Sequence, residues 1–482
     1  MRRRIPPILL GLAVFLYFFT YSLKSLNNYW GYNMPSFDFA IYDQGLWLLS
    51  RFEEPFVTIL GLHLFGDHTS FILLPFVPLY WIWPSGALLL IAQALALALG
   101  AVPLFLLARR LLGSEWLALG TAAAYLLTPA LGWLNLENFH PDSFEVPLAL
   151  LAIYFMVVRR WFWYGVAVVF LLAVKEDVAL LTAPLGLYVA WRYQRRVGLV
   201  TFFGSVVWMV LAIYVIQPHF SGVEAGALDS WRIPFGGPGG VVKTAFTDPA
   251  ALAGHVFTSE KMLYVLQLLL PTGFLALASP LALVALPVLG FNLLSTFFYQ
   301  YHLEYHYHSL IIPVFWAATV FALAEIPWRN LRRGAVVAVL LATVLSAYLW
   351  GPLGWSLHPS GVADPESERA AAAREAIAMI PEEAAVSAWY AYASHLAHRE
   401  EIYDFPNPWY ANYWGDDSQK GQRLARADSV DYVLIPANLG EGPSLDVSQR
   451  LTAEEGFTAI WEEAGLVLYA SPEAAGTDQA EP

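Results

Sequence analysis

Trp161-Phe162-Trp163-Tyr164-Gly165-Val166-Ala167-Val168-Val169-Phe170-Leu171-Leu172-Ala173-Val174 is an unbroken apolar run. Lys175-Glu176-Asp177 follows at once, and a second apolar run extends from Val178 to Trp191. Each run has 14 residues, about 21 Å as a helix, against a hydrocarbon core of about 30 Å. One continuous helix through both would reverse the side of every later arginine cluster. The stretch therefore reads as a hairpin of two short helices, with its charged turn sunk below the outer membrane surface. Charges at that depth are costly unless they pair with one another or line a polar cavity. A snorkelling turn with a local Lys–acid pair satisfies the first condition; a cavity wall satisfies the second and is preferred.

The rest of the chain agrees with a membrane setting. Its 482 residues are 58% hydrophobic and 13% charged, with mean hydropathy +0.51, outside the range of soluble domains. Arg2, Arg3 and Arg4 precede the apolar run Ile5 to Leu23. No small-residue cleavage site follows before Asn27, so the run reads as a retained first span with a cytoplasmic N-terminus. Further spans are predicted at 85–108, 115–134, 143–158, 161–174, 178–191, 198–216, 261–278, 280–298, 309–325 and 334–350, about eleven in all. Arg109-Arg110, Arg159-Arg160, Arg192 with Arg195 and Arg196, and Arg329 with Arg332 and Arg333 then share the cytoplasmic side. The turns 135–142, 175–177 and 301–308 all fall on the opposite face.

Charge divides the chain. Residues 360–482 hold 22 acids and 7 bases, whereas the first 359 hold 17 and 19. An acidic soluble portion thus follows a nearly neutral membrane body. No basic stripe with interleaved aromatics marks a nucleic-acid surface. Zero cysteines exclude disulfides, Cys-ligated zinc and thiol chemistry.

Polar residues gather on the outer face. Phe37-Asp38-Phe39-Ala40-Ile41-Tyr42-Asp43-Gln44-Gly45-Leu46-Trp47 leaves the membrane after the first span. Pro35 and Ser36 suit a helix start, which puts Asp38 in the first turn near the positive end of the helix dipole. Five residues turn a helix by about 140°, so Asp38 and Asp43 point in different directions. An interfacial helix with solvated acids reads the same residues without chemistry. His63, Asp67 and His68 lie in the first outer loop, His140 in the second, and His302, His306 and His308 in a later one. Imidazole with carboxylate suits a divalent metal, but the spacing matches no standard helix-borne zinc motif. Phosphate binding or substrate hydrogen bonding fits this mixed set better, and neither a metal nor any other cofactor is assigned. Residues 218–260 form a long outer loop with Gly236-Gly237-Pro238-Gly239-Gly240, a cover or a plain linker; no glycine directly precedes Lys243, which excludes a nucleotide phosphate loop.

After Pro359, Ser367 to Ile380 reads as a helix. Ala385–Ala388, Glu401–Asp404, Tyr432–Pro436, Phe457–Trp461 and Leu466–Ala470 read as short strands. The alternation predicts a small α/β domain with a largely parallel sheet, and it carries no dinucleotide fingerprint. The organisation is therefore a helical polytopic membrane body over 1–355 with outer-loop helices at 36–83, a soluble extracytoplasmic α/β domain over 356–471, and a disordered tail over 472–482.

Phe37-Asp38 with Asp43-Gln44 and Trp47, Gly66-Asp67-His68, Phe139-His140-Pro141, Lys175-Glu176-Asp177 and His306-Tyr307 carry a resemblance over roughly residues 5–470. The chain resembles the GT-C superfamily of integral-membrane glycosyltransferases and, more closely, a bacterial family of predicted polytopic membrane proteins within or beside it. The resemblance implies a plasma-membrane enzyme that moves a sugar from a polyprenyl-phosphate donor to an extracytoplasmic glycan, lipid or protein acceptor. Many superfamily members have an acidic pair beginning Asp-Glu, whereas Phe39 follows Asp38 here. Asp38 and Asp43 therefore both remain candidates for the catalytic position, with Asp38 preferred as general base. Lys175, His306 and His68 are candidates for the donor phosphate. Gln44, Trp47, His140, Glu176 and His308 complete the expected substrate-binding set. Inversion follows from direct displacement, which needs no second carboxylate. A transporter or lipid flippase is the alternative, although it would place its polar residues near the midplane, often in duplicated halves.

Overall fold

The computed structural model describes residues 5–224, 230–413 and 418–477. Arg2, Arg3 and Arg4 lie outside the described residues, as does the end of the tail. Five of the described helices are long and apolar enough to cross a membrane: Ile5–Trp30, Ala87–Leu112, Arg195–Ser221, His306–Glu325 and Arg329–Trp350. Glu115–Leu126 and Pro129–Leu136, bent by 46°, make a sixth if counted as one span. Pro129 has no N–H to continue the first helix, which accounts for the break. The reading of about eleven spans also counts shorter apolar helices. Among these are Glu145–Val157, Trp161–Leu172 and Ala179–Arg192, of 13, 12 and 14 residues.

The charged turn forms as read. Glu176–Val178 is a single 3-10 turn between Trp161–Leu172 and Ala179–Arg192. The expected span 261–278 is not one continuous helix. Helix Ser259–Leu269 stops at a turn containing Pro271, Gly273 and Phe274 take left-handed φ of 58° and 60°, and a 3-10 turn follows over Leu275–Ala278.

Helix Phe39–Ser50 buries ten of its 12 residues, so it does not lie on a bilayer surface with its acids in water. A small antiparallel hairpin, β1 (Phe56–Val57) with β2 (Leu62–His63), follows it. The C-terminal strands are β3 (Val386–Ala388), β4 (Ile402–Asp404), β5 (Tyr432–Pro436), β6 (Thr458–Glu463) and β7 (Leu466–Ala470). They form one sheet in the order β4-β3-β5-β7-β6. The sheet is mixed rather than largely parallel: β3 runs parallel to β4 and β5, but β7 is antiparallel to β5 and β6. Ala464 and Gly465, at φ of 47° and 74°, make the tight turn that folds β7 back on β6. The tail is corrected as well. Pro472–Thr477 is a short helix whose Ala474 is buried, and Ser471 Oγ accepts from the Ala474 N–H.

Of three buried apolar cores among the described residues, two position the site. One fills the helical body around Leu104, Ile153, Leu181 and Val314. The other joins Phe39, Leu46, Val57 and Leu73 of the outer loop to Ala373, Val386, Leu434 and Leu468 around the sheet. Each leucine, valine or phenylalanine of the second core contributes about 1.5–3 kcal/mol when taken fully out of water. The sheet is thereby seated on the segment that carries Asp38.

Candidate active site

Asp38 occupies the residue before helix Phe39–Ser50, at φ 65° and ψ −64°, and its side chain does not cap the helix. The Phe39 N–H donates to Phe37 O at 2.9 Å across it, a γ-turn in the strained, positive-φ sense. A non-glycine residue held there costs about 1–3 kcal/mol. The strain aims the carboxylate away from the helix and at His140, whose Nε2 lies 3.1 Å from Asp38 Oδ2.

That pair opens into a cavity of about 750 Å³. Asp67, His68, Glu137, Lys175, Arg232, Glu304 and His306 supply its other charged or ionisable lining, and Tyr42, Tyr299, Tyr305, Tyr307 and Tyr390 its phenols. Behind the wall, Glu176 accepts from His68 Nδ1 at 2.8 Å and from the Thr69 N–H at 3.1 Å. Lys175 Nζ lies 3.6 Å from Asp142 Oδ1. The turn is part of a cavity wall, and Lys175 and Glu176 pair with Asp142 and His68 from other segments rather than with each other.

The electrostatics separate proton acceptors from proton holders. Burial raises the Asp38 carboxyl, but His140, Lys175 and His68 outweigh it and hold the group below its ordinary value. It is a carboxylate at neutral pH. Burial lowers His140, and Glu137 and Asp38 reverse this, carrying it up to about 9. His68 reaches about 9 in the same way through Asp67 and Glu176. Burial pushes the Glu137 carboxyl up to about 8, with Asp38 and Asp142 adding to the rise. The ionised Asp38 carboxylate therefore faces His140, Lys175 and His68 in the chamber, and that is a geometry for taking a proton beside a bound anion.

The expected residues separate cleanly. Asp38, His68, His140, Lys175 and His306 meet in the cavity. Glu176 stands behind His68. Asp43 is 1% exposed and turned away, accepting from Tyr80 Oη at 2.7 Å and from His398 Nε2 at 3.0 Å. Gln44 donates to Thr58 Oγ1 and to the carbonyls of Arg399 and Glu400, and accepts from the Thr58 N–H. Trp47 stacks on His398, centroids 6.1 Å apart. These three clasp the sheet to the helix rather than face the chamber. His308 is fully buried with Nε2 3.1 Å from Ala130 O, a packing contact. Sequence reasoning left Glu137 and Arg232 out of the site. Glu137 sits three residues before His140 in a turn already assigned to the outer face, which was signal enough. Arg232 stands over the Phe297 ring at 4.8 Å, and nothing in its loop sequence announces that contact.

Glu137, His140 and His306 form the one group of potential metal ligands among the described residues, each offering a ligand atom within 4.8 Å of the others. The His140 and His306 rings are stacked with centroids 3.8 Å apart, and His306 Nδ1 lies 3.2 Å from Glu137 Oε1. The donor set suits a zinc-like ion by type.

No curated protein matches the sequence. Two solved structures share the fold. The crystal structure of ArnT from Cupriavidus metallidurans bound to undecaprenyl phosphate is 15% identical, covers 96% of this chain and 97% of that one, and has a TM-score of 0.58. The apo state of the same protein is 14% identical, covers 100% of both chains and has a TM-score of 0.59. At such identity the likeness is one of fold. A family model described as "Predicted membrane protein (DUF2079)" matches residues 28–468, a span that contains the whole cavity lining from Pro35 to Tyr390, and the chain belongs to that family.

Proposed function

We propose that the protein is an inverting, GT-C-type glycosyltransferase that takes its sugar from a polyprenyl-phosphate donor. The observation that carries the proposal is the ionised Asp38 carboxylate facing Lys175, His68 and Arg232 across one outward chamber. The ArnT structure of the same fold holds undecaprenyl phosphate, a lipid of the class the chamber would take. In this reading the shorter apolar helices also cross the bilayer, giving about eleven spans, and the C-terminal sheet lies outside the plasma membrane. Nucleotide sugars are cytoplasmic, so an outward chamber needs a donor delivered within the membrane.

The chemistry is a single displacement. An acceptor hydroxyl bound beside Asp38 attacks the anomeric carbon while Asp38 takes its proton. The bond from that carbon to the phosphate oxygen breaks, and its electron pair leaves on the lipid phosphate. Lys175, His68 and Arg232 stabilise that developing charge, and His140 orients the Asp38 carboxylate. Attack opposite the leaving group inverts the anomeric centre. The sugar is a group this chamber would have to hold chiefly by its phenols and carboxylates.

Purified protein in liposomes, given labelled polyprenyl-phosphate sugars and nucleotide sugars in parallel, tests the proposal. Transfer is expected from the lipid-linked donor alone. Transfer from a nucleotide sugar without lipid would overturn it.

A further inference from the structure

Helices Trp161–Leu172 and Arg195–Leu211 both begin on the arginine-bearing side and run outward, yet each leaves one face unpacked along the same length. Between them lies a groove of about 660 Å³, walled by Trp161, Val168, Val169, Leu172, Val200 and Trp208. It also passes Gly165 and Gly204. Helix glycines commonly allow close packing, but a Cβ at either position would meet nothing within 4 Å. Here the two glycines widen a space instead of closing one.

The groove has two unlike ends. One is at Arg196, beside Arg160, Arg195 and the positive N-termini of both helices. The other ends at Ala173 and Trp208. There the Phe71 ring meets Trp208 edge-on at 6.2 Å, and the Ile72 N–H donates to Ala173 O. From residue 196 to residue 208 the helix rises about 18 Å, close to the half-thickness of a hydrocarbon core of about 30 Å. The groove is therefore one leaflet deep, cationic at headgroup level and shut near the midplane. On the topology set by the arginine clusters, that leaflet is the cytoplasmic one, whose surface is rich in anionic lipid.

We infer that this groove is a retained-lipid site: it holds an acyl chain of an anionic phospholipid from the cytoplasmic leaflet, with the headgroup on Arg196. A donor lipid with its phosphate in the outward chamber approaches from the other leaflet and meets the Phe71–Trp208 closure. The site is separate from the chamber and independent of the transferase reading.

Native mass spectrometry of the full chain, exchanged from mild detergent into phosphatidylglycerol or phosphatidylcholine, tests the inference. The wild type is expected to retain phosphatidylglycerol at least tenfold more tightly. Arg196→Gln should abolish that preference, and Gly165→Leu with Gly204→Leu, which fills open space, should abolish retention with no loss of thermal stability. Unchanged retention in the double variant, or equal retention of both lipids by the wild type, would overturn the inference. So would displacement of the lipid by undecaprenyl phosphate, which would give the groove to the donor chain. A second measurement needs no variant: a phosphatidylglycerol with a photoreactive chain end should label Leu172, Ser205 or Trp208. Labelling at Trp161, or no labelling in the groove, would contradict the orientation.

Discussion

Asp38 and Asp43 sit five positions apart and serve different ends. Asp38 stands in a strained turn facing the chamber, while Asp43 is sealed between Tyr80 and His398. Asp38→Asn keeps size and hydrogen bonding but removes the proton acceptor. Since general-base catalysis contributes about 10²–10⁴ in rate, kcat should fall at least about a hundredfold with donor affinity little changed. Asp38→Gly should also lose activity without gaining stability, because glycine relieves the positive φ but leaves the buried His140 without its carboxylate partner. Asp43→Asn should do the reverse. Trading the charged acceptor of two buried hydrogen bonds for a neutral one should cost about 1 kcal/mol in a thermal unfolding assay, and turnover should suffer only as the fold loosens. Lys175→Met should weaken donor binding more than it slows the chemical step, read as a rise in KM.

The element that couples site to fold is helix Phe39–Ser50, and its clasp is pH-dependent. Burial lowers His398, but the Asp43 carboxylate outweighs it and leaves the imidazole above its ordinary value. A histidine shifted upward on folding stabilises fully below its unfolded value of about 6.5 and loses that contribution as pH rises through the folded value. The melting-temperature gap between wild type and His398→Gln should therefore shrink on going from about pH 6 to about pH 9. This clasp also marks the limit of what the sequence shows. The strands near 386, 402, 432, 458 and 466 were readable from local apolar runs, and so was the helix beginning at Ser367. The divergence of Asp38 and Asp43 was expected from helical geometry, but the structure produces it with a positive-φ turn at Asp38, outside the helix. His398, which meets Asp43, and Glu400, which meets Gln44, lie 355 and 356 residues away in chain order, and no local pattern encodes a contact of that range. The antiparallel β7 was missed because its direction depends on two residues, Ala464 and Gly465, whose turn type an apolar pattern does not reveal.

On the scale of the whole molecule, the segregation of arginines from the polar turns is what gives the chamber a side. A protease site placed at residue 365 should be cut from outside intact cells and protected in inside-out vesicles. Cleavage only from the cytoplasmic side would turn the chamber inward and remove the reason for a lipid-linked donor. The chamber, the clasped sheet and the spans together make one claim: a lipid phosphate sits beside Asp38. The most direct test is a structure of the protein prepared with undecaprenyl phosphate. Phosphate density is expected in the chamber within hydrogen-bonding reach of Lys175, with Asp38 facing the position of the anomeric carbon. An empty chamber at saturating lipid, or phosphate bound elsewhere with the chamber unchanged, would contradict it.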